Sequence, residues 1–473
     1  MRIRNSRNII NSRNNFKKNN VIIFKTCMKK ILFCIIISII FSLSLLLLPM
    51  PKNIEAHKAE SEIVEEMCIS YNKLEKLISI TCKYANFADV SKKITDHEIL
   101  KLETPNVANK NNDKVWLLNS GLKIEKNALL DINSNDVTWL KIIPTKKSPN
   151  AIEIDGSLKV DSVKITSWNQ ETNDYVKFPE NAKEDASIYT MIPRPYIKIE
   201  EIAIRSTEIT NSELAYLGYS CNGCGGLAFY GGENSILKNN NIHHIYKGFY
   251  SKEIGHILIE GNRVYGNEKY GIDPHSGTHD MIIRNNTIYD NGYSGIICSL
   301  DCYNIIIEDN EVYNNGNMGK GRGIAFSINM FDSVARNNYV HHQNVGIDIS
   351  GKSHDNKVYY NKISNSKVGI ETSEKSYNNN LYNNTIINSI NGIVVKTGAS
   401  DNTFHLNKIV NATEFGILNE GDPGTTTISN TFENNKLINS RVNTSVTTST
   451  MALDENDNVD KYDGINQDDE EKE

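Results

Sequence analysis

The chain is expected to be all-β, a right-handed parallel β-helix, on three observations. First, a Gly-hydrophobic step recurs at Gly226, Gly248, Gly271, Gly295, Gly323, Gly346, Gly369, Gly392 and Gly416, with spacings of 22, 23, 24, 28, 23, 23, 23 and 24 residues. Second, an Asn-x-aliphatic column runs in phase with it at Asn240, Asn262, Asn286, Asn310, Asn338, Asn361, Asn384, Asn407 and Asn435. Third, Ile272, Ile296, Ile324, Ile347, Ile370 and Ile393 fall at one equivalent position. Such a repeat describes a stacked coil in which each turn pairs with its neighbours about 4.8 Å away, because no single turn can bury its apolar face alone. Asn suits the bends, since it tolerates left-handed backbone angles and its amide can bond nearby backbone groups. The 28-residue step must bulge around Asn317 to Gly321.

Around this solenoid the segments divide as follows. Residues 1–56 read as an export signal or membrane anchor: Lys29 and Lys30 precede an apolar run from Ile31 to Leu48, with Pro49 and a small residue at Ala56 beyond it. Met28 is a candidate start, and cleavage after Ala56 would leave the body secreted, periplasmic or on the cell surface. An uncleaved run would be its one link to a membrane. Residues 57–112 form a cap or linker, partly helical, because Ser61 to Cys82 carries apolar residues at helical spacing. Residues 113–440 make the β-helix, with irregular early coils and regular ones from about Cys224. Residues 441–473 form an acidic tail ending in Asp468-Asp469-Glu470-Glu471-Lys472-Glu473, expected to be disordered.

Composition removes other classes. At 39% hydrophobic residues and 10 prolines the chain is neither collagen-like nor disordered throughout. A net charge of −6 without a basic stripe excludes a nucleic-acid partner. Six of eight cysteines follow the leader, at Cys68, Cys82, Cys221, Cys224, Cys298 and Cys302. Export permits disulfides, and the pairing is left open. Cys221 and Cys224 resemble half a zinc ribbon with no second half, so disulfides or buried thiols are favoured over metal.

One coil breaks the repeat's own pattern. In each coil the second and fourth residues after glycine should face solvent. These outward pairs run Tyr250 and Lys252, Asp273 and His275, Ile297 and Ser299, Ala325 and Ser327, Asp348 and Ser350, and only one joins a carboxylate to an imidazole. Pro274 between them cannot donate to the ladder, a cost that points to a functional requirement. Tyr270 precedes Gly271, whose missing Cβ would let the chain bend the phenol onto the same face. Lys247 and Arg322 hold positions equivalent to Tyr270 in other coils. Together these make an acid/base site with charge neutralisers on a shallow groove suited to an anionic polysaccharide.

Tyr270-Gly271-Ile272-Asp273-Pro274-His275 resembles the YG-x-DPH signature of the mannuronan C5-epimerases. Asn211-Ser212-Glu213-Leu214-Ala215-Tyr216-Leu217-Gly218-Tyr219 and Lys164-Ile165-Thr166-Ser167-Trp168 are similar to upstream segments of the family's periplasmic branch. The resemblance covers about Val115 to Ser440. It implies Asp273, His275 and Tyr270 as catalytic, Lys247 or Arg322 as neutraliser of the substrate carboxylate, and alginate-like mannuronan as substrate. Tyr250, Ser299 and Asp301 are carried as candidate substrate contacts, with Asp301-Cys302 also readable as a turn beside a disulfide. In the periplasmic branch an arginine follows the serine equivalent to Ser299, whereas Leu300 stands here. No cofactor is required by this chemistry, calcium is an open addition, and the chain is expected to act as a monomer. The alternatives are a polysaccharide lyase using the same proton abstraction, a non-catalytic sugar-binding or surface β-helix, and a periplasmic copper-binding-like protein using His243, His244, His341 and His342. Adjacent histidines on Asn-rich bends read more simply as solvated turn residues.

Overall fold

The structure is a computed structural model describing residues 68–103, 113–145, 149–319, 321–420, 430–442 and 451–454. Its coils distribute their strands among three sheets of 14, 13 and 15 strands, each strand pairing with its equivalent in the next coil, and the chain is a right-handed parallel β-helix. Among the described residues, strands pair antiparallel at the N-terminal end, in Ile69–Asn72 with Leu77–Ile80 and Leu100–Leu102 with Val115–Leu118, and an isolated antiparallel bridge joins Asn169 to Asp174.

The repeat columns explain the stacking. Phe249, Ile272, Ile296, Ile324, Ile347, Ile370, Ile393 and Ile417 pair in succession through the first sheet, and each is at most 1% exposed. Each such side chain contributes about 1.5–3 kcal/mol by leaving water. Glycine precedes this ladder because the next coil presses on it. A Cβ on Gly271 would stand 2.6 Å from the Gly295 carbonyl oxygen and 2.8 Å from Ile288 Cγ2. Close approach, rather than the expected bend, is what requires glycine here.

The asparagine column is a buried amide ladder. Asn310 donates from Nδ2 to Ile283 O (2.9 Å) and to Asn338 Oδ1 (3.0 Å), and its Oδ1 accepts from Asn286 N (3.0 Å). The left-handed residues are the ones just before the column, such as Asn285, Asp309 and Asn337. Asn is therefore needed in the column for its amide and before the column for its backbone. Asn310→Ala would orphan a buried N–H and a buried C=O, at about 1–3 kcal/mol each. A clear drop in the thermal midpoint is expected; an unchanged midpoint would mean the ladder is not stabilising.

Several expectations need correction. Ile69–Asn72 and Leu77–Ile80 form a hairpin closed by a Cys68–Cys82 disulfide, not a helix; helix appears later, at Phe87–Lys93. Period-two burial of Ile78 and Ile80 overrode the helical spacing. Cys221 pairs with Cys224, whereas Cys298 and Cys302 are free buried thiols, so Asp301 sits beside a thiol and not beside a disulfide. Within the expected disordered tail, Met451–Asp454 pairs as a strand with Asn435–Ile438; the acidic end at 468–473 and the leader at 1–56 lie outside the described residues. Among the described residues no helix is long and apolar enough to cross a membrane.

Candidate functional site

The strand Ile272–His275 lies in the first sheet between Lys247–Lys252 and Ile296–Ser299. Towards the earlier coil its register is continuous, with Tyr250 opposite Asp273, Ser251 opposite Pro274 and Lys252 opposite His275. Towards the later coil only Ile272 with Ile296 and His275 with Ser299 remain paired. Pro274, lacking its N–H, accounts for the gap.

Five of the named groups come together around that strand. Lys247 Nζ lies 3.2 Å from Asp273 Oδ2, 4.2 Å from the centre of the Tyr250 ring and 6.0 Å from that of Tyr270. Tyr250 in turn packs at 5.6 Å against the His275 ring. Asp273, expected to face solvent, is 1% exposed. The positions Ile297, Ala325 and Asp348 are likewise buried, whereas Tyr250, Lys252, His275 and Ser327 are partly exposed.

Burial sets the electrostatics. Desolvation pushes the Asp273 carboxyl up to about 6, outweighing the pull of Lys247. Its Oδ1 is buried with no hydrogen-bond partner among the described residues. His275 is held below the usual imidazole range by burial first, then by Lys247 and Lys252. Its Nδ1 is 2.6 Å from Ser276 Oγ, which orients the ring and leaves Nε2 for other chemistry. Burial chiefly, with the Asp273 charge next, raises the Tyr270 phenol, which therefore keeps its proton.

The remaining candidates separate. Arg322 does not reach Asp273: its Nε lies 2.6 Å from Asp348 Oδ2. Ser299 is buried beside His275 in the ladder. Asp301 is an exposed left-handed turn residue whose Oδ1 accepts from Asn329 Nδ2 (2.6 Å). Leu300, where the periplasmic pattern has arginine, is a left-handed turn residue 37% exposed. Sequence reading missed the wall formed by the segment before Ile197. There Arg194, fully buried, donates to the carbonyls of Gly218 and Leu217 and stacks on Phe178. Beside it Tyr189 donates to Glu268 Oε2 (3.1 Å). The aromatics Phe178, Tyr189 and Tyr246 were its available signal.

The profile of the family described as "Periplasmic copper-binding protein (NosD)" matches residues 200–397 and 323–461, together more than half of the 473-residue chain. The chain belongs to that family. Among solved structures it is similar to the periplasmic alginate epimerase AlgG, at 19% identity over 80% of this chain and 85% of that one, with a TM-score of 0.63. It is also similar to the A-module of the Azotobacter vinelandii mannuronan C-5 epimerase AlgE6, at 15% identity over 69% and 89%, with a TM-score of 0.50. At these identities the likeness concerns the fold. No curated protein matches the sequence.

The family description raises the question of copper. His243 and His244 place their Nδ1 atoms 2.8 Å apart, and His341 and His342 place theirs 2.7 Å apart, so each pair is spent on its own hydrogen bond. The Nε2 atoms of His243 and His341 lie against Glu213 and Glu311. Among the described residues no three or more His, Cys, Asp or Glu side chains converge as metal ligands, so these pairs do not fit a multidentate copper site.

Proposed function

We propose that the Asp273 coil epimerises C5 of a polyuronate of the mannuronan type in an exported, monomeric protein. One observation carries this reading: a buried carboxyl 3.2 Å from Lys247 Nζ, on the strand that ends in the His275 imidazole. The C5 proton is next to the sugar's carboxylate and too weakly acidic to leave unless that group is neutralised. Lys247 and the proton on Asp273 would supply the neutralisation. His275 Nε2 then takes the C5 proton, and the electron pair of the broken C–H bond moves into the substrate carboxyl group. Tyr270, at the other end of the strand, gives its proton to the opposite face and re-forms the C–H bond with inverted configuration. Solvent carries the proton from imidazolium back to phenolate. The fold likeness to alginate epimerases and the leader's pattern support the reading.

The test is incubation of polymannuronate with the protein, followed by product analysis. Guluronate without unsaturated chain ends supports epimerisation; unsaturated ends would make the protein a lyase, in which β-elimination follows the same abstraction. The pH profile adds a second check. Activity needs His275 neutral and Asp273 protonated, so kcat/KM should rise as the imidazole loses its proton and fall as pH passes about 6. Asp273→Asn, whose amide donates at any pH, should lose the alkaline limb while retaining the acid one. A variant profile identical to the wild type's would remove Asp273 from the mechanism.

A further inference from the structure

The cation–aspartate pair of the candidate site has a duplicate. Lys247 stands one residue before a coil glycine and Asp273 two residues after the glycine of the next coil; Arg322 and Asp348 occupy the same two positions, again 26 residues apart. The contact is repeated, with Arg322 Nε 2.6 Å from Asp348 Oδ2. Asp348 is fully buried, its Oδ1 has no hydrogen-bond partner among the described residues, and burial pushes its carboxyl up to about 6. Ser350 Oγ donates to Oδ2 (2.9 Å) from the position that His275 holds two residues beyond Asp273.

Both pairs lie on one sheet. Ile297 and Ala325 fill the column between the two aspartates, which places them three coils and about 14 Å apart. A buried carboxyl with one unsatisfied oxygen beside a guanidinium is half of a carboxyl-binding site. Arg322, 31% exposed, can meet an incoming carboxylate with its guanidinium N–H groups, while Asp348 beneath it holds the guanidinium at Nε. With serine in place of imidazole, this second position has no base, so it can hold a uronate without reacting with it. Beyond Arg322 the bends entering this sheet form a cleft of about 720 Å³ whose lining includes Asp290, Asn314, Asn344, Ser366, Lys367 and Asn388. Those amide, hydroxyl and charged groups suit sugar hydroxyls.

We propose that Arg322 and Asp348 form a second, non-reacting subsite that grips a carboxylate several residues along the same polyuronate chain whose reacting unit sits at Asp273. The inference rests on the reading of the Asp273 coil given above. It makes the protein an enzyme of long chains, because oligomers too short to span both aspartates forgo the second contact.

The experiment measures kcat and KM on oligomannuronates of graded length. Wild type is compared with Arg322→Gln and with Arg322→Gln/Asp348→Asn, the second removing the lone buried carboxylate that the first leaves behind. In the wild type KM should fall once the chain spans both sites. In both variants that fall should vanish, raising KM on polymer on the order of tenfold or more, as loss of a charge-assisted contact implies, with kcat little changed. Short oligomers should be handled as by wild type. Variants with wild-type KM on polymer, or with equal losses on short and long substrates, overturn the subsite while leaving the Asp273 reading intact. A wild type inactive at every length instead overturns the Asp273 reading, and the subsite with it.

Discussion

His275→Ala should abolish C5 chemistry and leave the solenoid standing. The imidazole is the group assigned to take the C5 proton, and a positioned general base accelerates such a step by about 10²–10⁴-fold. A loss of that size in kcat, with KM little moved, is the expected result in an assay of mannuronate conversion. Structurally the change is mild. His275 ends its strand, is only half-buried, and contacts Tyr250 and Ser276 rather than the isoleucine ladder. Far-ultraviolet circular dichroism and the thermal midpoint should therefore stay near wild type. A folded His275→Ala protein with wild-type turnover would strip the imidazole of its role.

Lys247→Ala should damage activity and stability together, through one residue. Lys247 is the cation hydrogen-bonded to a carboxylate that is 1% exposed. Removing one partner of a buried pair leaves the other uncompensated, at roughly 3–5 kcal/mol. Asp273 can escape by keeping its proton, so the cost depends on pH. Its folded-state pKa is already raised from 3.8 to about 6, and loss of Lys247, which lowers it, raises it further. An acid with a raised folded pKa favours the fold below its unfolded value and loses that contribution as pH rises through the folded one. The variant should therefore match wild type near pH 4 and fall progressively behind above pH 6. Turnover should drop about 10²–10³-fold, as when one preorganised charge-stabilising donor is removed. Lys247→Met/Asp273→Asn should recover the stability at neutral pH without the activity. Recovery of both would mean the pair is structural only.

The fold was legible because its repeat is literal. Gly271, Ile272 and Asn286 each have a partner one coil away doing the same job, and in-phase columns leave few alternatives to a solenoid. The Asp273 coil stood out because Pro274 violates the ladder. What was harder to read followed from contacts between coils. Lys247 and Arg322 looked equivalent, yet each reaches the aspartate of its own next coil, so Arg322 is committed to Asp348; the shared 26-residue offset was the available clue. Alternation predicted that Asp273 and Asp348 face solvent, whereas both are buried, and that burial raises their pKa values. Arg194 escaped notice because nothing in a single sequence marks an arginine whose partners are the carbonyls of Leu217 and Gly218.

The most direct measurement is proton NMR of polymannuronate incubated with wild-type protein in heavy water. Abstraction at C5 with return of a solvent-derived proton to the other face should replace the C5 proton of each new guluronate by deuterium, at unchanged chain length. A folded protein that leaves every C5 proton in place, with no guluronate and no chain cleavage, would contradict the assignment of proton transfer to the Asp273 coil.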